Sequence, residues 1–315
     1  MGQEIYRHNG DIPEEIRTIY PFESHWIELD GLRMHYLDEG MEGPTVILLH
    51  GNPTWSFLYR EIIPKITAHC RAVAPDYFGM GLSDKAAAER FYTLENHTRF
   101  ITEFINRLGL KDIIFVVQDW GGPIGFGYAL SRPENVSGML IMNTWAWPDP
   151  SDFHASVLPW RMLHAPLMGP YLLLRQNVLV ERGLYLSTSR SRQRFKQGAI
   201  LNGYRLPFTT PGSRISILAF PRNIPLKPGD LNWDRMKKME KGLKSLELPC
   251  RLLWGEKDIV FPPNNAHRFQ RLLPNCSSPR FIPDGSHFIQ EDAPGEIAEE
   301  ILELVKQIPR AEVSS

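Results

Sequence analysis

The chain is poor in the features that announce several large protein classes. Its three cysteines, Cys70, Cys250 and Cys276, are odd in number and form no C-x-x-C pair. That argues against a disulfide framework or a zinc site and fits a reducing, cytoplasmic setting. Among ten histidines there is no H-E-x-x-H or similar pair, so no metal is expected. There is no phosphate-cradling glycine loop, so no nucleotide cofactor is expected either. Charge of one sign is missing too: 35 Lys and Arg against 36 Asp and Glu give a net charge of −1. With no basic cluster, nucleic-acid binding is not expected. Met1 to Asp11 is polar, with none of the apolar core of a signal peptide. Long apolar runs are lacking, the nearest, Ala165 to Leu174, being broken by Pro166, Gly169 and Pro170; no membrane span is expected.

What remains is ordinary globular material: 315 residues, 43% hydrophobic and 23% charged, enough for one large core with an insertion. Asp30-Gly31 between His25–Leu29 and Leu32–Tyr36 reads as a hairpin. Short apolar runs follow at Thr45–Leu49, Ala72–Pro75, Ile113–Val117, Ser137–Met142, Arg251–Trp254 and Arg280–Pro283. Helical patterns lie between them near Leu58–Ala68, Leu94–Leu108, Pro123–Leu130, Asn264–Leu273 and Pro294–Ile308. Continuous apolar strands alternating with helices predict an α/β fold, a mostly parallel central sheet with helices on both faces. The alternation fails between about Pro148 and Asp230, where helical segments (Val157–Leu174, Arg190–Asn202) and prolines occur without a buried strand. We therefore expect a core of residues 1–147 and 231–315 and a helical cap of residues 148–230, inserted before the last strands. The insertion leaves just after a strand end, where such sheets place ligands, which favours a lid over mere side packing.

The strongest local signal is Val117-Gln118-Asp119-Trp120-Gly121-Gly122, between a strand and a helix. It occupies the place of a nucleophile elbow, with Asp119 where serine is common. A carboxylate is already ionised at neutral pH and suits attack on an electrophilic carbon without a base to activate it. The motif alone leaves open a helix cap. A second signal, Leu48-Leu49-His50-Gly51-Asn52-Pro53, follows an earlier strand. Backbone N–H groups of Asn52 and Trp120 can form an oxyanion hole. Asn52 is otherwise a turn residue, but its side-chain NH₂ and the Trp120 indole N–H are two neutral donors suited to a departing anion. His50 reads as a turn brace rather than a catalytic group.

Two more signals, Trp254 to Asp258 and Asp284 to Phe288, follow the last two strands. The order Asp119, Asp258, His287 is that of an α/β-hydrolase triad, with His287 as base and Asp258 as its orienting acid. Four signals at four strand ends in that order make coincidence improbable and set the cap reading of Asp119 aside. Apolar residues around the cap entrance (Trp145, Trp147, Phe153, Leu158, Met162, Leu163) would keep water out and suit an apolar substrate, though each can equally be cap core.

Over nearly its whole length the chain resembles the haloalkane dehalogenases of the α/β-hydrolase fold. The resemblance is carried by His50 to Trp55, Asp76 to Asp84 (DYFGMGLSD), Gln118 to Gly122, Trp254 to Asp258 and Gly285 to Phe288. It implies displacement of halide by Asp119 and hydrolysis of the alkyl ester by His287-activated water. Asn52 and Trp120 would bind the halide, without metal or cofactor. Its partners would be a small apolar halogenated substrate, halide and water; an oligomer is left open. One subgroup of the family carries a Glu at the end of the strand before the cap; Asn143 stands there, so the acid should be Asp258. With Asn52 present, a cap tryptophan such as Trp160 is not required. Asp258 with Asn52 and Trp120 resembles the third subgroup. That subgroup is also similar to β-lactone decarboxylases, which would make an alkene and CO₂. Epoxide hydrolases, further relatives, need cap tyrosines; Tyr171, Tyr185 and Tyr204 are available. Non-catalytic receptors of this fold usually lack a triad member, and here all three positions are filled.

Overall fold

The computed structural model describes residues 4–40, 43–148, 162–196 and 198–308. Phe153, Leu158 and Trp160 lie outside the described residues. The strands are β1 (Ile5–Tyr6), β2 (His25–Leu29), β3 (Leu32–Glu39), β4 (Thr45–Leu49), β5 (Arg71–Pro75), β6 (Lys85–Ala86), β7 (Ile113–Gln118), β8 (Val136–Met142), β9 (Cys250–Gly255) and β10 (Arg280–Ile282). β1 and β6 form a small antiparallel pair. The other eight form one sheet in the order β10-β9-β8-β7-β4-β5-β3-β2. From β10 to β5 every pairing is parallel; β3 runs antiparallel to β5 and β2 to β3. The predicted α/β fold with a mostly parallel sheet is what the chain adopts. The strands β4 and β7 are buried at every position, as expected of strands covered on both faces.

The topology sets where the site can be. The chain runs from β4 to β5 on one side, then crosses back to β7 on the other side of β4. Loops leaving the carboxyl ends of β4 and β7 therefore diverge, opening the crevice that such sheets use for ligands. Leu49 pairs with Val117, and Gln118 with Met142. This register sets the turns after β4, β7 and β8 side by side.

Helix Leu94–Arg107 shows how the helices cover the sheet. Thr93 caps it through the N–H of Asn96 at 3.1 Å. Its buried residues Leu94, His97, Phe100, Ile101, Phe104 and Ile105 recur at helical spacing. Helix Gly121–Ser131 starts so close to the sheet that side chains are excluded. A Cβ on Gly121 would lie 2.2 Å from the Leu49 carbonyl oxygen, and one on Gly122 2.0 Å from Thr144 Oγ1.

One helical expectation needs correction, and one helix was not expected. The Leu58–Ala68 pattern is a 3₁₀ turn, Ser56–Tyr59, followed by a short helix, Ile63–Ile66. Pro64, lacking an N–H and crowding the turn before it, prevents one continuous helix. The helix Trp233–Leu243, unanticipated, buries only Met236, Met239 and Leu243, a signal submerged in lysines.

Every described element from Met168 to Arg222 is helical. These segments lie across the carboxyl edge of the sheet: Trp55 Nε1 donates to Gly203 O at 3.1 Å, and Ser216 Oγ to Gly79 O at 2.5 Å. Hydrogen bonds to the buried Glu291 and Asp292 tie them to the segment that follows His287. Arg60 grips Glu291 with both terminal nitrogens, at 2.5 and 2.9 Å, and Tyr204 Oη donates to the same carboxylate at 2.5 Å. Asp292 accepts from the backbone N–H groups of Ser189, Ser191 and Ser286. Glu291→Gln would leave the buried Arg60 charge with only the distant Glu61 carboxylate, at 3.8 Å. The expected loss is about 3–5 kcal/mol of stability, read by urea unfolding; a loss below about 1 kcal/mol would show the pair to be dispensable.

Candidate active site

Asp119 stands at the end of β7 with φ +50°, a left-handed conformation that a non-glycine residue adopts only when its surroundings impose it. Three contacts impose it here. Its N–H donates to Asn143 O at 3.0 Å, its carbonyl accepts from Thr144 Oγ1 at 2.5 Å, and Gly122 N–H returns to the same carbonyl at 3.0 Å. Gly51 lets the carboxylate come close: a Cβ there would sit 2.3 Å from Asp119 Oδ1.

The carboxylate is not a helix cap. Oδ1 accepts from the Asn52 backbone N–H at 2.8 Å, and the Trp120 backbone N–H also bonds the carboxylate. These are the two donors expected of an oxyanion hole. Oδ2 lies 3.7 Å from His287 Nε2. Burial raises the Asp119 carboxyl above the usual aspartate range, opposed by His287 and the two N–H donors.

His287 follows β10 and Asp258 follows β9, and the two meet with Nδ1 to Oδ2 at 3.1 Å. Asp258 is saturated with donors. Oδ1 accepts from the N–H groups of Val260 and Phe261 at 2.6 and 3.0 Å, and Oδ2 also accepts from Asn143 Nδ2 at 2.6 Å. Burial opposes the His287 imidazolium. The Asp258 charge and hydrogen bond, with Asp119 behind them, outweigh it and move the imidazole above its ordinary value.

The side-chain donors Asn52 Nδ2 and Trp120 Nε1 make no hydrogen bond among the described residues, while Asn52 Oδ1 is buried without a partner. The Trp120 ring is wedged edge-on against Trp145 at 4.9 Å and against Phe220 at 5.1 Å. An unspent N–H on a fixed indole beside a carboxylate is available to an anion. His50 braces the turn: Nδ1 pairs with Gly51 O at 2.9 Å and Nε2 accepts the Tyr77 N–H at 3.2 Å.

Two neighbours of the triad escaped the sequence reading. Asn143, noted only as the absence of Glu, holds Asp258. Gln118 contacts His287 at 3.2 Å. Both sit beside named motif residues, which was the available signal. The three tyrosines that epoxide chemistry would call on stand in different surroundings. Tyr204 is committed to Glu291 and Tyr171 is 55% exposed. Tyr185 lies beneath Arg192. Of the apolar entrance residues, Trp145 and Trp147 are fully buried, Trp147 against Phe269 and Arg268. Among the described residues no group of three or more His, Cys, Asp or Glu is placed to hold a metal, and no helix is long and apolar enough to cross a membrane.

A family model described as alpha/beta hydrolase fold matches residues 44–294. Over 292 residues the chain is 37% identical to haloalkane dehalogenase 2 of Mycobacterium tuberculosis, covering 90% of this chain and 96% of that protein. The chain belongs to the haloalkane dehalogenase family of the α/β-hydrolase fold. Within reach of this family is a second kind of relative. A cis-3-alkyl-4-alkyloxetan-2-one decarboxylase of Shewanella oneidensis is 33% identical over 283 residues, 89% of this chain and 87% of that one. Among solved structures, haloalkane dehalogenase DbeA from Bradyrhizobium elkani superimposes with a TM-score of 0.82 at 29% identity, over 91% of this chain and 98% of that one.

Proposed function

We propose that the protein hydrolyses haloalkanes to alcohol and halide through a covalent alkyl ester on Asp119. The observation that carries this reading is the division of labour between the two oxygens of one carboxylate. Oδ1 accepts the Asn52 backbone N–H at 2.8 Å, the Trp120 backbone N–H bonds the same carboxylate, and Oδ2 lies 3.7 Å from His287 Nε2. Oδ2 displaces the halide, which leaves toward Trp120 Nε1 and Asn52 Nδ2. Water deprotonated by His287 Nε2 then attacks the ester carbonyl. Charge gathers on the former Oδ1, where the Asn52 N–H already points and the Trp120 N–H is at hand. Collapse gives the alcohol and the free carboxylate, so that R–X and H₂O become R–OH, X⁻ and a proton. Asp258 supports the imidazolium through Nδ1.

A second reading, β-lactone decarboxylation to an alkene and CO₂, rests on the decarboxylase relatives and would use the same five residues. The purified protein, offered a 1-bromoalkane panel and a long-chain β-lactone in parallel, separates the two. Halide release supports the first; alkene without halide release overturns it. Trp120→Phe removes one donor to the leaving anion while keeping the packing against Trp145 and Phe220. Bromide affinity should fall about 10- to 100-fold, the worth of one hydrogen bond to a charge. Bromide quenching of intrinsic fluorescence measures it, and an unchanged quenching curve would remove Trp120 from the halide site.

A further inference from the structure

We infer that Gln118 is a positioning residue that keeps His287 neutral, with its proton on Nδ1, until the hydrolytic water arrives. The inference rests on the mechanism proposed above and deepens it.

Gln118 is the last residue of β7 and is fully buried. Its amide nitrogen lies 3.2 Å from the His287 carbonyl oxygen and 3.2 Å from His287 Nε2. A carbonyl oxygen only accepts, so the nitrogen end of the amide must face the histidine. An NH₂ group has two hydrogens, and here there are two acceptors. Nε2 must then present a lone pair, which places the ring proton on Nδ1, facing Asp258 Oδ2 at 3.1 Å. One amide thus selects one tautomer.

The selection matters because of the charges around the ring. The titratable groups acting on His287 are Asp258, from the turn after β9, and Asp119, from the end of β7. Phe261 and Phe288 pack on the ring at 5.5 and 4.8 Å. Asp292 reaches the same loop only through the Ser286 backbone N–H. Both acting carboxylates favour the imidazolium. An imidazolium 3.7 Å from Asp119 Oδ2 would pair with the nucleophile and blunt it. A donor on Nε2 favours the neutral ring instead.

The test needs no substrate. Protein labelled with ¹⁵N-histidine is titrated by NMR, His287 being assigned from the His287→Gln spectrum. On the alkaline side the unchanged protein should show the Nδ1–H tautomer at His287. Gln118→Met, similar in length but without N–H groups, should raise the His287 midpoint by on the order of one pH unit. The acid limb of kcat/KM should move by the same amount. Gln118→Glu should raise both further. An Nε2–H tautomer in the unchanged protein, or a Gln118→Met midpoint and acid limb that coincide with the original, overturns the inference. Should Gln118→Met fail to fold, the Gln118→Glu midpoint decides in its place, and a midpoint equal to the original overturns the inference. Failure to release halide from any bromoalkane would sink the proposed function, and the NMR titration would still decide the role of Gln118.

Discussion

Asp119→Asn and Asp119→Ala proteins should both retain less than about 10⁻⁴ of the original turnover, the scale of losing a nucleophile. The asparagine variant is the sharper of the two. Asn tolerates a left-handed backbone, so φ +50° persists, and its carbonyl oxygen can still accept the Asn52 N–H that Oδ1 accepts now. Only the charge and its nucleophilicity go. Alanine loses that acceptor, and without the short polar side chain that lets Asp and Asn tolerate the left-handed region it holds this conformation at a cost of about 1 kcal/mol. Its loss of activity should therefore come with a lower melting temperature, and that of asparagine should not. Nothing else beside the site can replace the attacking oxygen: Asp258 spends both its oxygens on four donors. Activity within tenfold of the original in both variants would remove Asp119 from the reaction.

The residues that could be read from sequence are those whose chemistry and chain position coincide. Asp119, Asp258 and His287 each follow an apolar strand within a few residues, and strand ends in a parallel sheet converge whatever the loops do between them. Glycines at 121 and 122 were legible for the same reason, as small residues at a tight strand-to-helix turn. Asn143 and Gln118 were not. Their role is set by the register of β7, β8 and β9, which brings a mid-chain amide onto a carboxylate 115 positions away. The buried Arg60–Glu291–Tyr204 contact joins residues 231 and 87 positions apart, and no local pattern encodes it. The helices misread, Leu58–Ala68 and Trp233–Leu243, are those where proline or a weak apolar face leaves tertiary packing to decide. Binary patterning thus located the strand ends; hydrogen bonds between distant segments determined what each end does.

His287→Gln separates the two chemical steps more decisively than any other substitution. In the proposed reaction, displacement at carbon uses the Asp119 carboxylate and the anion donors, and glutamine at 287 leaves all of them in place. Hydrolysis of the resulting ester requires a base, and among the described residues His287 alone is paired with Oδ2. The variant should therefore release about one equivalent of bromide per site and stop, with intact mass increased by the alkyl group less one hydrogen. Turnover should fall by about 10⁴-fold or more, while the first equivalent is released at close to the original rate. A β-lactone substrate leads to a different trace. Ring opening on Asp119 expels no halide, so any adduct carries the full mass of the lactone, and its absence alongside continued alkene formation would show that His287 is not needed for that reaction. Sustained halide release without an adduct would mean that water attacks the substrate directly, and the carboxylate at the elbow would then be a base or an electrostatic aid rather than the nucleophile.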